Sequence, residues 1–280
     1  MSARPGRLLM PRLMLWMGFR FLYAPMVILI VYSFNESRLV TVWGGFSTKW
    51  YTELVQDQQM MAAAWRSLKI AFLSAWAAIV LGTMAGIVMV RFHRFRGRTL
   101  FTGMITAPLV MPDVILGLSL LLLFVTMSKW IGWPESRGML TIWIAHVTFC
   151  TAYVAVVVSA RLKDFDMSLE EAAMDLGADR LKTFMLITLP IISPALIAGW
   201  LLSFTLSLDD LVIASFVSGP SSTTLPMQVF SSVRLGVTPK INALATILIV
   251  IVCLGALVGW WIMRLEDRRM QRDLQAAARE

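Results

Sequence analysis

The sequence predicts an all-α integral membrane protein, and its composition, its hydrophobic runs and their pattern each favour that fold class. Hydrophobic residues make up 58% of the chain and charged residues 15%, whereas about a quarter of the residues in a soluble domain are charged. Residues 70–90 and 241–263 contain no charged side chain, and each run reaches the roughly 20 residues that cross a hydrocarbon core. Neither run shows the alternation of a barrel strand, so helices are expected to satisfy the backbone groups.

Four further apolar runs complete a set of six predicted transmembrane helices. They are interrupted only by Arg20, Asp113, His146 and the adjacent pair Asp209 and Asp210. In chain order, the predicted helices cover residues 13–34, 66–90, 100–127, 139–160, 191–217 and 241–263. The whole chain, residues 1–280, is then expected to form a single transmembrane domain.

The positions of Lys and Arg predict the orientation of these helices. One side of the membrane, which includes the tails of residues 1–12 and 264–280, receives sixteen of them, and the other side receives eight. Because short cytoplasmic loops retain positive charge, both termini are expected to be cytoplasmic. The formal net charge of +8 follows from this bias and from contact with anionic lipid, so it does not indicate nucleic-acid binding. Arg20 lies within the first span, where snorkelling and contact with a partner subunit both remain open.

No motif in the chain carries catalytic chemistry. It lacks a phosphate-binding loop, a His-Glu-x-x-His zinc motif and a Gly-x-Ser-x-Gly nucleophile elbow, so it is not expected to hydrolyse ATP or to hold a metal or cofactor. Cys150 and Cys253 lie in different apolar helices without metal-type spacing and are expected to be small packing residues. His146 stands alone in an apolar helix and is expected to pack there rather than to act as a ligand.

The longest cytoplasmic loop, residues 161–190, is predicted to contain a short amphipathic helix. Ser168 and Glu171 have the spacing of a capping box, and Gly177 marks the end of the helix. An apolar stripe at helical spacing is formed by Leu169, Ala172, Ala173 and Leu176. Glu170 is expected to face away from the stripe. Two interpretations remain open at this point: the stripe docks in a groove on another protein, or it rests on its own bundle or on the membrane surface.

The same loop resembles the EAA loop of inner-membrane permease subunits of binding-protein-dependent ABC importers. The match reads Glu171-Ala172-Ala173, three residues, Gly177, nine residues, Ile187, one residue, and Leu189-Pro190. The resemblance implies the type I ABC importer permease fold, with the loop as a coupling helix on a cytoplasmic ATPase. The coupling residues that it implies are Glu171, Ala172, Ala173, Gly177 and Pro190.

The resemblance also implies a set of partners in the bacterial inner membrane. These are a second permease subunit that completes a heterodimer, two ATP-binding subunits and a periplasmic substrate-binding protein. ATP and Mg would be bound by the partner ATPase, and no cofactor by this chain.

Shorter segments, at residues 32–35, 107–113, 207–210 and 241–244, resemble the polyamine branch of these permeases, and the whole chain resembles putrescine-uptake permeases. The implied function is that of a permease subunit of an ATP-driven polyamine importer, with putrescine as the first candidate and spermidine or another cation left open. The alternative is a secondary transporter driven by an ion gradient, against which the absence of an evident internal repeat argues. A membrane enzyme would need a nucleophile and a base, and no such constellation is evident.

Acidic residues within apolar helices indicate a path for a cationic solute. The predicted path residues are Asp113, Asp209, Asp210 and Tyr153. A carboxylate in the membrane costs about 2.5–3.5 kcal/mol on insertion scales, so it usually faces a bundle interior or water. Pro108 and Pro112 predict a kink or broken turn beside Asp113. Capping of a helix end by Asp209 and Asp210, and simple packing of Tyr153, remain open alternatives.

Overall fold

The computed structural model describes residues 9–39, 42–92, 94–236 and 238–277, and its regular elements there are all helical. In chain order they are α1 (Leu9–Tyr32), α2 (Lys49–Gln56), α3 (Gln58–Arg91), α4 (Arg98–Val110), α5 (Asp113–Ile131), α6 (Met139–Lys163), α7 (Ser168–Asp175), α8 (Arg180–Thr183), a π-helical turn (Phe184–Thr188), α9 (Leu189–Asp209), α10 (Val212–Val217), α11 (Leu225–Leu235) and α12 (Pro239–Ala277). The predicted all-α fold class is confirmed. Helices α2 and α11 lie between the predicted transmembrane spans.

Five helical stretches in the described ranges are long and apolar enough to cross a membrane. They are Met10–Tyr32, Gln58–Arg91, Asp113–Ile131, Met139–Lys163 and Arg180–Asp209. The sixth predicted span falls in α12, whose described apolar part, Pro239–Gly255, is shorter than a full span. The count of six therefore stays a prediction. Because α12 continues to Ala277, residues 264–277 of the predicted tail are helical.

The third predicted span, residues 100–127, is divided into α4 and α5. The chain leaves helical geometry at Met111 and Pro112, since Pro112 has no N–H to donate and restricts the residue before it. Asp113 is consequently the first residue of α5, where a carboxylate interacts favourably with the helix dipole. The predicted break beside Asp113 is confirmed.

The fifth predicted span, residues 191–217, was expected to be continuous, and this is wrong. Helix α9 ends at Asp209 and α10 begins at Val212. The Asp210 carboxylate accepts hydrogen bonds from the backbone N–H groups of Ile213 (3.2 Å) and Ala214 (2.7 Å). Its side chain thereby offers the backbone an alternative to continued helix and opens a new first turn.

Helix α6 lies at the centre of the compact unit formed by residues 59–230. A Cβ atom on Gly82 of α3 would lie 2.5 Å from the Val154 side chain, and one on Gly86 would lie 3.1 Å from the Ala155 carbonyl oxygen. On α9, Gly199 also abuts Val154. Small residues thus let α3 and α9 approach α6 closely, as is usual between membrane helices.

The second compact unit contains residues 1–58 and 231–280, and Asn35 organises its first loop. The buried Asn35 side chain donates to the Val42 carbonyl (2.8 Å) and accepts from the Gly44 N–H (2.8 Å). The Trp50 indole donates to the Asn35 carbonyl at 2.6 Å. The Asn of the Tyr-Ser-Phe-Asn segment therefore has a structural role in closing this loop.

Candidate functional site

Helix α7 begins at Ser168, as predicted, but its first turn is not held by the predicted capping box. The Ser168 side chain forms no cap, because Ser168 is already helical. Asp166 lies two positions earlier, and its carboxylate accepts from the Ser168 backbone N–H at 3.0 Å. Hydrogen bonds from Ser168 hold the pKa of the Asp166 carboxyl below its usual range. The contact is therefore intact at neutral pH and is lost only as the pH falls through that lowered value.

The end of α7 depends on Gly177, as predicted. Gly177 has φ +89°, which a side chain disfavours. Its N–H donates to the Met174 carbonyl at 2.9 Å, and the Ala178 N–H donates to the Ala173 carbonyl at 3.0 Å. These two bonds form a Schellman motif, which closes the helix and satisfies its last carbonyls.

The side of α7 that faces the chain's own bundle carries Glu170. Its side chain is only 6% exposed and forms a bidentate pair with Arg91 at the end of α3, with one oxygen 2.8 Å from the guanidinium. The Thr188 hydroxyl donates to the same carboxylate. Glu170 does face away from the apolar stripe, as expected, but that side packs against the bundle, because two distant polar partners make burial of the carboxylate favourable.

The apolar stripe of α7 lies on the outer surface. Leu176 is 90% exposed and Leu169 46% exposed, while Ala172 is exposed and Ala173 half-buried. The stripe therefore does not rest on the chain's own bundle in the described structure. This exposure is compatible with docking in a groove on another protein and with contact at the membrane surface, and it disfavours only the chain's own bundle as the resting place of the stripe.

The predicted coupling residues fall in two places. Glu171, Ala172, Ala173 and Gly177 lie together on α7 and at its end. Pro190 is the second residue of α9, beyond the π-helical turn, and is exposed. No functional role was predicted from the sequence for Glu170, Arg91 or Thr188. For Glu170, the one sequence feature that could have indicated a role is its position as a second carboxylate directly before the Glu-Ala-Ala triplet.

Among the predicted path residues, Asp210 has its carboxylate engaged by other groups of the same chain. Its carboxylate oxygen lies 3.2 Å from His146 Nε2, and His146 Nδ1 lies 2.6 Å from the Ser207 hydroxyl. A neutral imidazole that donates from Nε2 and accepts at Nδ1 satisfies both neighbours. The side chains of His146 and Asp210 are 1% and 8% exposed. Asp210 therefore serves as a helix cap and network member, the alternative that the sequence left open.

Asp113 and Asp209 have a different environment, because both are exposed on the surface of the chain. Asp113 is the first residue of α5, one turn before Gly117, where an added Cβ atom would lie 3.2 Å from the Cα atom of Ile213 in α10. Asp113 begins α5, the break precedes α10, and these two helices pack against each other. Tyr153, in α6, is half-buried and packs against the hydrophobic core. Its environment therefore differs from that of the two exposed carboxylates.

Comparison with known proteins gives a family match and close relatives. The model of the family described as binding-protein-dependent transport system inner membrane component matches residues 78–272. The putrescine transport system permease protein PotI of Escherichia coli strain K12 is 64% identical over 265 residues, which cover 95% of this chain and 94% of that protein. The spermidine/putrescine transport system permease protein PotC of the same strain is 43% identical over 233 residues, which cover 83% and 86%.

Solved structures with similar backbones are far less similar in sequence. A bacterial ABC transporter involved in the import of the acidic polysaccharide alginate matches with a TM-score of 0.70 and 15% identity, covering 94% of this chain and 98% of that one. The MetNI methionine ABC transporter in inward-facing form matches with a TM-score of 0.57 and 16% identity, covering 78% and 98%. At these identities the likeness concerns the fold alone.

Proposed function

We propose that this chain, which belongs to the family of binding-protein-dependent transport system inner membrane components, is a permease subunit of an ATP-driven polyamine importer with putrescine as its substrate. Its fold is that of a type I ABC importer permease, as expected. The similarity to a putrescine permease over 95% of the chain is the observation that carries the substrate class. Both termini lie in the cytoplasm in this proposal, and the chain spans the inner membrane several times.

Coupling to ATP is assigned to α7. Its stripe of Leu169 and Leu176, with Ala172 between them, is exposed and apolar, and an exposed apolar stripe on a short helix suits a hydrophobic groove on a partner. That partner is a cytoplasmic ATPase, which binds the ATP and Mg. Two such subunits, a second permease and a periplasmic binding protein complete the assembly. Closure of the ATPases moves α7, and the bundles rock between outward and inward access.

The cationic path is assigned to the side of the chain that carries Asp113 and Asp209. An exposed carboxylate in a transmembrane segment is costly against lipid, so it is expected to face water or a partner. A diamine is a flexible dication, and carboxylates along its route replace part of its lost hydration. The second permease supplies the opposite wall. Asp210 is excluded from direct contact with the substrate because His146 and α10 already occupy it.

Uptake of radiolabelled putrescine tests the proposal in cells that lack only this gene, with and without the restored chain. ATP level and membrane potential are varied separately. Uptake that returns with the chain and follows ATP supports the importer. Uptake that follows the ion gradient would instead indicate a secondary transporter, and uptake that does not return would contradict the putrescine assignment.

Asp113→Asn is expected to lower the rate of putrescine uptake by about tenfold while the complex still assembles, since a hydrogen bond to a charged group contributes roughly 1.5–3 kcal/mol and tenfold corresponds to about 1.4 kcal/mol. Asn keeps the size of the side chain and still accepts a hydrogen bond. Initial uptake rates, normalised to the amount of complex recovered from the membrane, measure the effect. Glu135→Gln, an exposed carboxylate in the loop between α5 and α6, is the matched control. An unchanged rate in Asp113→Asn would remove this residue from the path.

A further inference from the structure

The contacts of Glu170 join three elements of the unit formed by residues 59–230. Glu170 lies in the first turn of α7, Arg91 is the last residue of α3, and Thr188 ends the π-helical turn before α9. Glu170 and Thr188 are buried, at 5% and 0% exposure. The bidentate contact with Arg91 and the hydroxyl contact with Thr188 all converge on this one carboxylate.

The chemistry of this cluster makes it a stiff connection. A bidentate guanidinium–carboxylate pair fixes orientation as well as distance, and removal of one member of a buried pair is far more costly than loss of a surface contact. Elsewhere α7 makes few such contacts: Glu171, Ala172, Asp175 and Leu176 are all exposed. In the described structure, Glu170 is therefore the main polar attachment of α7 to the membrane helices.

The two helices attached to Glu170 lead directly into the bundle. Helix α3 packs against α6 through Gly82 and Gly86. Helix α9 starts directly after Thr188 and extends for 21 residues to Asp209, a length of about 32 Å at 1.5 Å per residue. Small displacements of packed helices are transmitted as rigid movements, because packed cores do not deform continuously.

We propose that Glu170, Arg91 and Thr188 form a joint that transmits displacement of α7 to α3 and α9, with Glu170 and Arg91 as positioning residues for coupling. This inference rests on the proposed function and adds to it the contacts through which movement of α7 reaches α3 and α9. The outer face of α7 binds the ATPase, and the inner face, through Glu170, moves the bundle. Loss of the joint therefore separates ATP hydrolysis from transport without removing the docking surface.

The complete complex, reconstituted in proteoliposomes with its binding protein, tests the joint. Glu170→Gln keeps the size of the side chain but removes the charge that Arg91 requires. We expect uptake per ATP hydrolysed to fall by about tenfold, at the upper part of the usual range for coupling residues, while the ATPase subunits still co-purify. Asp164→Asn, an exposed carboxylate just before α7, is the matched control and should retain wild-type coupling.

A charge exchange separates a specific joint from a general loss of folding. Arg91→Glu and Glu170→Arg should each uncouple the complex, and the double variant should recover most of the uptake per ATP because the pair is restored in reverse. A double variant no better than either single variant would overturn the proposal. Unchanged coupling in Glu170→Gln would overturn it equally.

Hydrogen exchange of the purified chain provides a readout that does not depend on the transported substrate. Amides of residues 168–175 should exchange about tenfold faster in Glu170→Gln, because local opening becomes easier when an anchoring contact is lost. Amides in the middle of α6 should be unaffected. Unchanged exchange in α7 would contradict the joint. Absence of ATP-dependent putrescine uptake in the wild-type complex would contradict the proposed function instead, and the exchange result would still decide whether Glu170 holds α7.

Discussion

Gly177→Asp is expected to abolish both ATPase association and uptake while the chain remains in the membrane. Gly177 adopts φ +89° and directs two backbone hydrogen bonds that close α7. A side chain at this conformation costs roughly 1–2 kcal/mol, and the new carboxylate lies at the negative end of a helix dipole, where it is unfavourable. No atom of the described residues lies within 4 Å of the Cβ position, so the change affects the end of the helix and its outer face rather than the bundle.

Gly97→Asp is the matched control for this variant. Gly97 has φ +87°, and its Cβ position likewise has no neighbour within 4 Å in the part of the chain that the structure describes, but it precedes α4 and lies outside the EAA segment. Co-purification of the ATPase subunits and uptake of putrescine should be near wild type in Gly97→Asp and absent in Gly177→Asp. Glu171→Lys, which reverses a charge on the exposed face of α7, should match Gly177→Asp. Normal uptake in either α7 variant would exclude this helix from coupling.

The bounds of α7 could be predicted from the sequence because they depend on local chemistry. A polar residue at the start and a glycine at the end act within four residues, whatever the rest of the fold does. The same holds for the break before Asp113, since Pro112 alone disfavours a continuous helix. Such features need no knowledge of what packs against them.

The inward side of α7 could not be predicted, because it depends on residues distant in the chain. Glu170 is buried through Arg91, 79 positions earlier, and Thr188, 18 positions later. Periodicity alone assigns a charged residue to the solvent side of an amphipathic helix. Here a bidentate partner reverses that rule, and the apolar stripe becomes the exposed face.

The break between α9 and α10 was missed for a related reason. Adjacent carboxylates in an apolar run predict polar surroundings, but they do not distinguish a cap from a path residue. That distinction depends on His146, which is 64 positions from Asp210 in sequence and 3.2 Å from it in space. The role of each carboxylate therefore became clear only when its neighbours were known.

The adjacent residues Asp209 and Asp210 are consequently expected to respond in opposite ways to substitution. Asp210→Ala removes the two hydrogen bonds that begin α10 and leaves His146 Nε2 buried without its partner. An unsatisfied buried donor lowers the free energy of unfolding by roughly 1–3 kcal/mol, and loss of a helix cap lowers it by roughly 0.5–2 kcal/mol more. We expect a clearly lower thermal midpoint for the detergent-purified chain, and uptake lost in proportion to the folded protein.

Asp209→Asn supplies the contrast, because Asp209 is exposed and lies at the end of α9. Its substitution should shift the thermal midpoint little, since isolated surface changes usually fall within about 0.5 kcal/mol, but it should slow putrescine uptake by the folded complex. Thermal unfolding and uptake per folded complex, measured on both variants, separate the two roles. Because the residues are adjacent, membrane insertion and helix composition are nearly matched between them. Equal losses of stability in the two variants would contradict the division of this pair into one structural carboxylate and one that faces the path.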